Sequence, residues 1–197
     1  MKNHTNIYLS KSLYFQCQIG WTIFLVIIMP ISLRRAKIDD FIQLQNANLH
    51  CLAENYHMWF WLYHYLLTPQ GAHVAVDKNS KILGYVLGKM DDEGRKSKPP
   101  VPLHGAITSV AVFTSYRKLG LATKLLSYTH KTLRECYKAE FVNLHVRETN
   151  RAGHFLYQRT LGYKFNKLDE KYYADGENAW SLRYTYPECD TSHQPKS

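Results

Sequence analysis

The chain has 197 residues, which is enough for one domain with a sizeable core. Hydrophobic residues make up 45% of the chain and charged residues 21%, a balance typical of soluble globular domains rather than disordered chains. The formal net charge of +9 favours anionic partners, such as nucleic acid, a phosphate-bearing cofactor or an acidic peptide, without choosing among them.

The cysteines are too few and too scattered for a disulfide scaffold or a zinc site. They are Cys17, Cys51, Cys136 and Cys189, no two of them at a metal-ligand spacing, and the histidines do not cluster with them. We therefore expect free thiols in a reducing compartment and no bound metal.

Residues 1–30 differ in character from the rest of the chain. The run 19–31 carries no charge but is only 13 residues long, whereas a membrane-spanning helix needs roughly 20 residues. Lys2 and Lys11 precede the run, as in a signal peptide, yet no small-residue cleavage site follows it. We predict an N-terminal extension over 1–30, a catalytic domain over 31–187 and a polar tail over 188–197. The expected location is cytoplasmic, with the nucleus left open, and not membrane-bound or secreted.

From residue 33 onward, strand and helix patterns alternate. In chain order they predict a strand over 33–36, helices over 37–52 and 56–67, a hairpin of strands over 72–77 and 81–90, a strand over 105–113, a helix over 121–137, a strand over 140–146, a helix over 150–160, and strands over 163–167 and 178–184. The charged, proline-rich segment 91–102 is predicted to be a mobile loop. This order indicates a layered α+β fold, and dinucleotide and nucleoside-triphosphate motifs are missing from it.

The most informative segment is 107–126, where an apolar strand runs through a basic turn into a helix. The first turn of a helix has unpaired N–H groups and the positive end of the helix dipole, which together bind anions. Gly120 and Ala122 allow close approach to the backbone, and Arg117 and Lys118 add positive charge. The segment therefore predicts a pyrophosphate site. The alternative is an ordinary strand–turn–helix connection with two cations on its surface.

The R-x-x-G-x-A spacing of Arg117, Gly120 and Ala122 resembles the acetyl-CoA signature of the GNAT acetyltransferases. The similarity extends over 31–187, and in detail it is to the catalytic subunits of NatA-type N-terminal acetyltransferases. The stretches that carry it are LAENYHM, ILGYVLGKM, HGAITSVAV, RKLGLA, LHVRETNRAGHFLY and KYYADGENAW. The resemblance implies a GNAT fold, with a mixed central sheet flanked by helices. It also implies metal-free transfer of acetyl from acetyl-CoA to the N-terminal α-amine of proteins.

The same resemblance implies which residues bind the cosubstrate. The basic turn would hold the CoA diphosphate, and the backbone of the preceding strand would pair with the pantetheine arm. The implied residues are Val110, Val112, Arg117, Lys118, Gly120, Leu121, Ala122 and Asn150.

Acetylation of an amine requires proton transfers. An α-amine has a pKa of about 8, so it must lose a proton before attack, and the departing thiolate needs a proton donor. The resemblance implies Glu54 as the first candidate for orienting or deprotonating the amine, His145 as the second, and Tyr157 as the donor. Their structural alternatives are a helix-start carboxylate, a strand histidine and a core aromatic. The implied substrate-binding residues are Glu54, Tyr56, Tyr172 and Tyr173.

One position departs from the family pattern. Where the family has H-G-H, this chain has His104, Gly105 and Ala106, and the missing second histidine is implicated in catalysis. Residues two apart share a strand face, so we expect His104 to lie on the same face as Ala106 and to compensate in part. Activity is expected to be weaker or retuned.

Three other functions stay open at this stage. The Ala106 change allows a catalytically weak subunit that acts mainly as an interaction partner, and other GNAT enzymes acetylate lysine or small amines. The charge allows a nucleic-acid module, although interleaved aromatic and basic residues on a strand face are missing.

The resemblance implies the N-termini of nascent or mature proteins as substrates and a helical auxiliary subunit docked on 41–67. The charge is compatible with association with the ribosome, without direct nucleic-acid specificity.

Overall fold

The computed structural model of the protein describes residues 5–16, 22–91 and 102–187. Its strands are β1 Thr5–Gln16, β2 Thr22–Arg35, β3 Ala72–Val76, β4 Ile82–Asp91, β5 His104–Val112, β6 Phe141–Arg147, β7 Lys164–Asp169 and β8 Ala179–Thr185. Its helices are α1 Phe41–Cys51, α2 Met58–Leu67, α3 Leu121–Tyr137 and α4 Arg151–His154, the last continuing as a π-helical turn over Phe155–Thr160. Most of the predicted loop 91–102 and the predicted tail lie outside the described residues.

The strands form one sheet in the order β1-β2-β3-β4-β5-β6-β8-β7. Neighbouring strands are antiparallel except for β5 and β6, which are parallel. α1 and α2 pack on one face of the sheet, and α3 and α4 pack on the other. This arrangement confirms the predicted α+β fold with a mixed central sheet.

The backbone of the N-terminal segment forms a β-hairpin. β1 pairs with β2 from Thr5 opposite Leu33 to Gln16 opposite Thr22, whereas β2 pairs with β3 only through residues 32–35. The strand predicted over 33–36 is therefore the last part of a longer strand. The domain boundary at residue 30 stays a prediction. In the described ranges, no helix combines the length and the apolar character needed to cross a bilayer.

Helices cover the central strands from both sides. Val74 in β3 is completely buried (0% exposed), and β3 is buried on both faces, as expected for a strand between two helical layers. α3 directs Leu125 and Leu133 into one of the two apolar clusters. It begins after Gly120 and ends before Lys138, and both of these residues have the left-handed backbone conformation that interrupts a helix.

β5 and β6 separate part-way along their length. They pair over residues 104–107 and 141–144, and no further pair joins them within the described residues. The register of β5 against β4 shifts between Leu87 and Gly88, which leaves Thr108 as the extra residue of a β-bulge. A bulge bends its strand and increases the twist. The C-terminal halves of β5 and β6 therefore diverge and leave a gap in the sheet.

Three buried histidines make the stability of the fold depend on pH. Burial lowers the pKa of His64 to about 4, of His73 to about 3 and of His130 to about 4, and the nearby Lys89 and Arg35 add to the effect at His64 and His73. In the unfolded chain these groups titrate near 6.5, so below that pH the unfolded state binds protons that the folded state does not. We predict that the free energy of unfolding is at its full value above pH 6.5. It should fall toward pH 4 by up to about 1.4 kcal/mol per pH unit for each histidine.

Urea unfolding near pH 7 and near pH 5 measures this loss, over a range of about two pH units. The variant His130→Gln has no imidazole but keeps a side-chain amide that can bond to the Tyr163 hydroxyl, which lies 2.6 Å from His130 Nε2. Its stability should depend less on pH than that of the wild type. A free energy of unfolding that is the same at both pH values contradicts the prediction.

Candidate active site

The turn between β5 and α3 presents free backbone amides. The N–H of Arg117 bonds to Thr114 and that of Lys124 bonds to Gly120, whereas the amides of residues 118–123 have no hydrogen-bond partner in the described part of the chain. Gly120 has a φ of 76°, and a Cβ added to it would meet nothing within 4 Å. Glycine is therefore needed there for its backbone conformation, and the space in front of it is open. Such a turn is suited to binding an anion.

The side chains of two predicted residues of this turn, Arg117 and Leu121, make contacts within the protein. The Arg117 side chain turns back over β5, where its Nε donates to the Val112 carbonyl at 2.9 Å. Its guanidinium also lies beside Cys51, whose pKa is raised by burial and in part lowered again by Arg117. Leu121 is 1% exposed, so its side chain belongs to the core and only its amide can face a ligand. Lys118 and Ala122 remain on the accessible side of the turn.

The backbone edges of Val110 and Val112 face the gap between β5 and β6. The N–H of Phe113 bonds to the Leu83 carbonyl at 3.0 Å, so the backbone groups of Phe113 point toward β4. Because these groups alternate in direction along a strand, those of Val110 and Val112 point away from β4. The Val112 carbonyl on this edge accepts from Arg117 Nε. The other backbone groups of the edge can bond to an extended chain of amides.

Asn150, predicted to bind the cosubstrate, and Tyr157, predicted to donate a proton, lie on α4 and its π-helical extension, on the α3 side of the sheet. Asn150 caps α4, because its Oδ1 accepts from the Gly153 N–H at 2.9 Å, and its contact with a cofactor stays a prediction. Tyr157 is buried and packs edge-on against Tyr163, with ring centroids 5.8 Å apart. Burial raises the pKa of Tyr157 to about 12. The phenol thus keeps its proton at neutral pH, as a proton donor must.

On the opposite face of the sheet, Arg147 at the end of β6 bonds to the loop that carries Glu54 and to the loop before β8. Its Nε donates to Glu54 Oε1 at 2.9 Å, and its Nη2 contacts the same oxygen. Its Nη1 donates to Asp175 at 2.8 Å and also to Glu177. The guanidinium lies 4.1 Å from the centroid of the Tyr173 ring. The bonds to Glu177 and Glu54 are the main reasons why the pKa of Arg147 is raised above its ordinary value.

The loop that carries Glu54 is fixed from inside the molecule by Asn48. This side chain is completely buried (0% exposed) in α1. Its Nδ2 donates to the Glu54 carbonyl at 2.9 Å, and its Oδ1 accepts from the Tyr56 N–H at 3.1 Å. The Tyr56 ring stacks on Phe60 with centroids 3.9 Å apart. Asn48 and Arg147 together therefore determine where the Glu54 carboxylate lies.

His145 lies two residues before Arg147 and shares its face of β6. Its Nε2 is 3.0 Å from Asp169 Oδ2, and its ring stacks on Tyr172 with centroids 4.4 Å apart. Burial and the nearby Glu54 and Tyr172 raise the pKa of Tyr56. The structure thus brings the residues predicted for the peptide side into one cluster: Glu54, Tyr56, His145, Tyr172 and Tyr173. Tyr157 lies across the sheet from this cluster, and the two faces meet at the gap between β5 and β6.

Three residues that bond to members of this cluster were not predicted from the sequence. Arg147 has a weak signal, because it follows His145 by two positions on a predicted strand and so shares its face. Asn48 shows only as a polar residue within an apolar helix. Asp169 gives no signal, because its contact with His145 depends on the order of β6, β8 and β7 in the sheet.

His104 is on the expected face but is held by other contacts. It lies opposite Phe141 just as Ala106 lies opposite Asn143, and its ring stacks on Phe141 with centroids 4.5 Å apart. Its Nδ1 is 2.9 Å from the Pro102 carbonyl. Whether His104 compensates for Ala106 stays a prediction. In the described ranges, no group of three or more histidine, cysteine or acidic side chains is arranged to hold a metal ion.

Comparison with known families agrees with this geometry. Residues 38–163 match the acetyltransferase (GNAT) family. The free amides of the β5–α3 turn fit the diphosphate of acetyl-CoA, and the open edge of β5 fits its amide-bearing arm. The chain belongs to the GNAT acetyltransferase family, and acetyl-CoA is its cosubstrate.

The relatives narrow the class further. The N-terminal acetyltransferase A complex catalytic subunit NAA10 of Arabidopsis thaliana is 50% identical over 153 residues, which span 78% of this chain and 77% of that protein. The N-terminal acetyltransferase A complex catalytic subunit ard1 of Schizosaccharomyces pombe is 43% identical over 77% of this chain and 84% of that protein. Among solved structures, the NatB acetyltransferase complex bound to CoA and MES matches with a TM-score of 0.66 and 28% identity. That match covers 79% of this chain and 99% of the other.

We predict that Asn48→Ala weakens peptide binding without weakening acetyl-CoA binding. It removes both hydrogen bonds that fix the Glu54 loop, so the free energy of unfolding should fall by about 1–3 kcal/mol and the KM for peptide should rise. Asn46→Ala, an exposed position on the same helix, is the matched control. Urea unfolding and steady-state kinetics give the two values. If both variants behave alike, Asn48 does not position the loop.

Proposed function

We propose that this chain transfers the acetyl group of acetyl-CoA to the N-terminal α-amine of proteins, as the catalytic subunit of a NatA-type complex. The 50% identity with the Arabidopsis thaliana NatA catalytic subunit supports this activity. The structural observation that carries the proposal is the position of Arg147. It holds the Glu54 carboxylate where the loop 52–57 meets the loop 170–178. Because Arg147 joins the two loops there, we infer that they close this end of the site, which favours a chain terminus over an internal lysine.

Glu54 and His145 are the groups proposed to handle the amine. Near pH 7 most of an α-amine is protonated, since its pKa is about 8. Glu54 Oε1 is occupied by Arg147, whereas Oε2 has no partner among the described residues and can accept a hydrogen bond from the ammonium. The proton then leaves to Glu54 directly, through a water, or to His145. Acetyl-CoA supplies the activated acetyl group.

The aromatic side chains of the cluster are suited to hold the peptide backbone. Burial is the first cause that raises the pKa of Tyr56, Tyr172 and Tyr173, so their hydroxyls stay protonated and can donate hydrogen bonds to peptide carbonyls. Across the gap, Tyr157 keeps its proton for the same reason and is the proposed donor to the CoA thiolate.

We place the protein in the cytoplasm, where the free thiols of Cys51 and Cys136 stay reduced.

A peptide panel tests the activity. The full chain is incubated with acetyl-CoA and peptides that begin with Ser, Ala, Asp, Glu or Met, beside a peptide whose single amine is an internal lysine. CoA release is then followed. We expect turnover on α-amines, little on lysine, and a loss of about 100-fold in kcat for Glu54→Gln with unchanged acetyl-CoA binding.

Glu135→Gln is the matched control for that variant. It makes the same change of charge at an exposed position of α3 that pairs with Lys131, and it should keep wild-type kinetics. If acetyl-CoA binds but no peptide is acetylated, with or without a NatA auxiliary subunit, the proposed activity is wrong.

We also propose that a helical auxiliary subunit docks on the outer face of α1 and α2. Ile42 is 77% exposed and Trp59 is 67% exposed, values that are high for large apolar side chains. The exposed apolar residues of this docking face are Ile38, Ile42, Leu49, Met58, Trp59, Tyr63, Leu66 and Leu67. An open groove of ≈ 610 Å³, lined mostly by aromatic side chains, runs between Tyr56 and Tyr63. Apolar surfaces of this kind mark interfaces, and apolar grooves accept helices.

The net charge of +9 further supports contact with the ribosome surface during acetylation of nascent chains.

Size-exclusion chromatography with the auxiliary subunit of a NatA complex tests the docking face. The wild-type chain should coelute with that subunit, and Trp59→Glu and Leu66→Glu should not, because each places a charge in the apolar interface. Lys131→Glu, on the opposite side of the sheet, should coelute like the wild type. Coelution of both interface variants would show that the subunit binds elsewhere.

A further inference from the structure

β8 lies between β6 and β7 and carries small side chains on the face of the catalytic cluster. Ser181 is opposite His145 on one side and Lys167 on the other, and Ala179 is opposite Asp169. Residues opposite each other in neighbouring strands project from the same face of a sheet. Ser181 is 3% exposed and Ala179 is 0% exposed. The longer side chains of β6 and β7 therefore meet above β8.

The contact made there is a histidine–carboxylate hydrogen bond. His145 Nε2 lies 3.0 Å from Asp169 Oδ2, and Asp169 Oδ1 accepts from Lys167 Nζ at 2.7 Å. The hydrogen bond from Lys167, followed by the one from His145, lowers the pKa of Asp169 below its ordinary value. The carboxylate is thus ionised at neutral pH and can only accept. The proton in this bond belongs to His145 Nε2.

The bond leaves Nδ1 of the neutral imidazole as a proton acceptor. No hydrogen-bond partner of Nδ1 occurs among the described residues. The ring cannot turn freely, because Tyr172 stacks on it at an interplanar angle of 12°. Two independent contacts therefore determine both the tautomer and the orientation of this ring.

We propose that Asp169 is a positioning residue for acetyl transfer, which fixes His145 as the Nε2–H tautomer so that Nδ1 can take a proton from the substrate amine. This inference rests on the proposed function. The ammonium loses one proton, directly or through one water, and the imidazole gains it and becomes an imidazolium with two N–H groups. The Asp169 carboxylate stabilises that positive charge, and the amine keeps the electron pair with which it attacks. The proton later passes from His145 to solvent.

The tautomer is measured without reference to activity. Long-range proton–nitrogen NMR spectra of the ¹⁵N-labelled chain, recorded about one unit or more above the ordinary histidine pKa, distinguish the two neutral forms. The His145 signals are those missing from the His145→Gln spectrum. We expect the Nε2–H form in the wild type, a mixture of both forms in Asp169→Asn, and the Nε2–H form in Lys167→Met, which leaves the Oδ2 bond intact. An Nδ1–H form in the wild type, or an unchanged tautomer in Asp169→Asn, overturns the inference.

Kinetics with N-terminal peptides test the catalytic consequence. His145→Gln should lower kcat about 100-fold and Asp169→Asn at least about 10-fold, both with unchanged KM for acetyl-CoA. The double variant should match His145→Gln within about 2-fold, because Asp169 acts through His145. Glu135→Gln should keep the wild-type kcat.

Two kinetic results contradict the inference. The first is a His145→Gln variant with wild-type kcat, and the second is a double variant whose losses multiply. If the wild-type chain acetylates no peptide, it is the proposed function that fails, and the tautomer spectra still decide whether Asp169 fixes His145.

Discussion

A continuous sheet separates its two faces, and here the β-bulge at Thr108 removes that barrier by bending β5 away from β6. The bend leaves the backbone groups of Val110 and Val112 without a neighbouring strand. The Val112 carbonyl accepts from Arg117 Nε, and the other backbone groups of this edge are left to water or to a ligand, so the same distortion that opens the sheet also creates an edge for an amide-bearing cosubstrate. The β5–α3 turn follows directly and provides free amides for its phosphates.

The chemistry is divided between the two faces that meet at this gap. Tyr157 lies on the α3 side, where burial raises its pKa to about 12. Arg147 and His145 lie on the other side, where the peptide cluster is half-exposed. Ion pairs that are exposed to solvent contribute little to stability. The Arg147 network therefore matters less for holding the fold together than for fixing the position of Glu54.

α1 links this cluster to the outer surface of the molecule. Asn48, on its inner side, forms two hydrogen bonds with the Glu54 loop, while Ile42, on its outer side, is exposed. α1 therefore connects the Glu54 loop on its inner side with the docking face on its outer side.

Local patterns in the sequence determine the helices and strands, because apolar periodicity and turn chemistry are properties of neighbouring residues. The basic turn at Gly120, the amphipathic α3 and the β3–β4 hairpin were all predicted in this way, and motif resemblance identified the GNAT family. Other features arise only when distant segments meet: Arg147 reaches Glu54 across 93 positions, and His145 reaches Asp169 over the small residues of β8. These contacts depend on strand order, on the size of the residues in the strand between and on the direction in which each side chain projects. The sequence therefore determined the class of enzyme, and only the tertiary structure decided which charges surround the reacting amine.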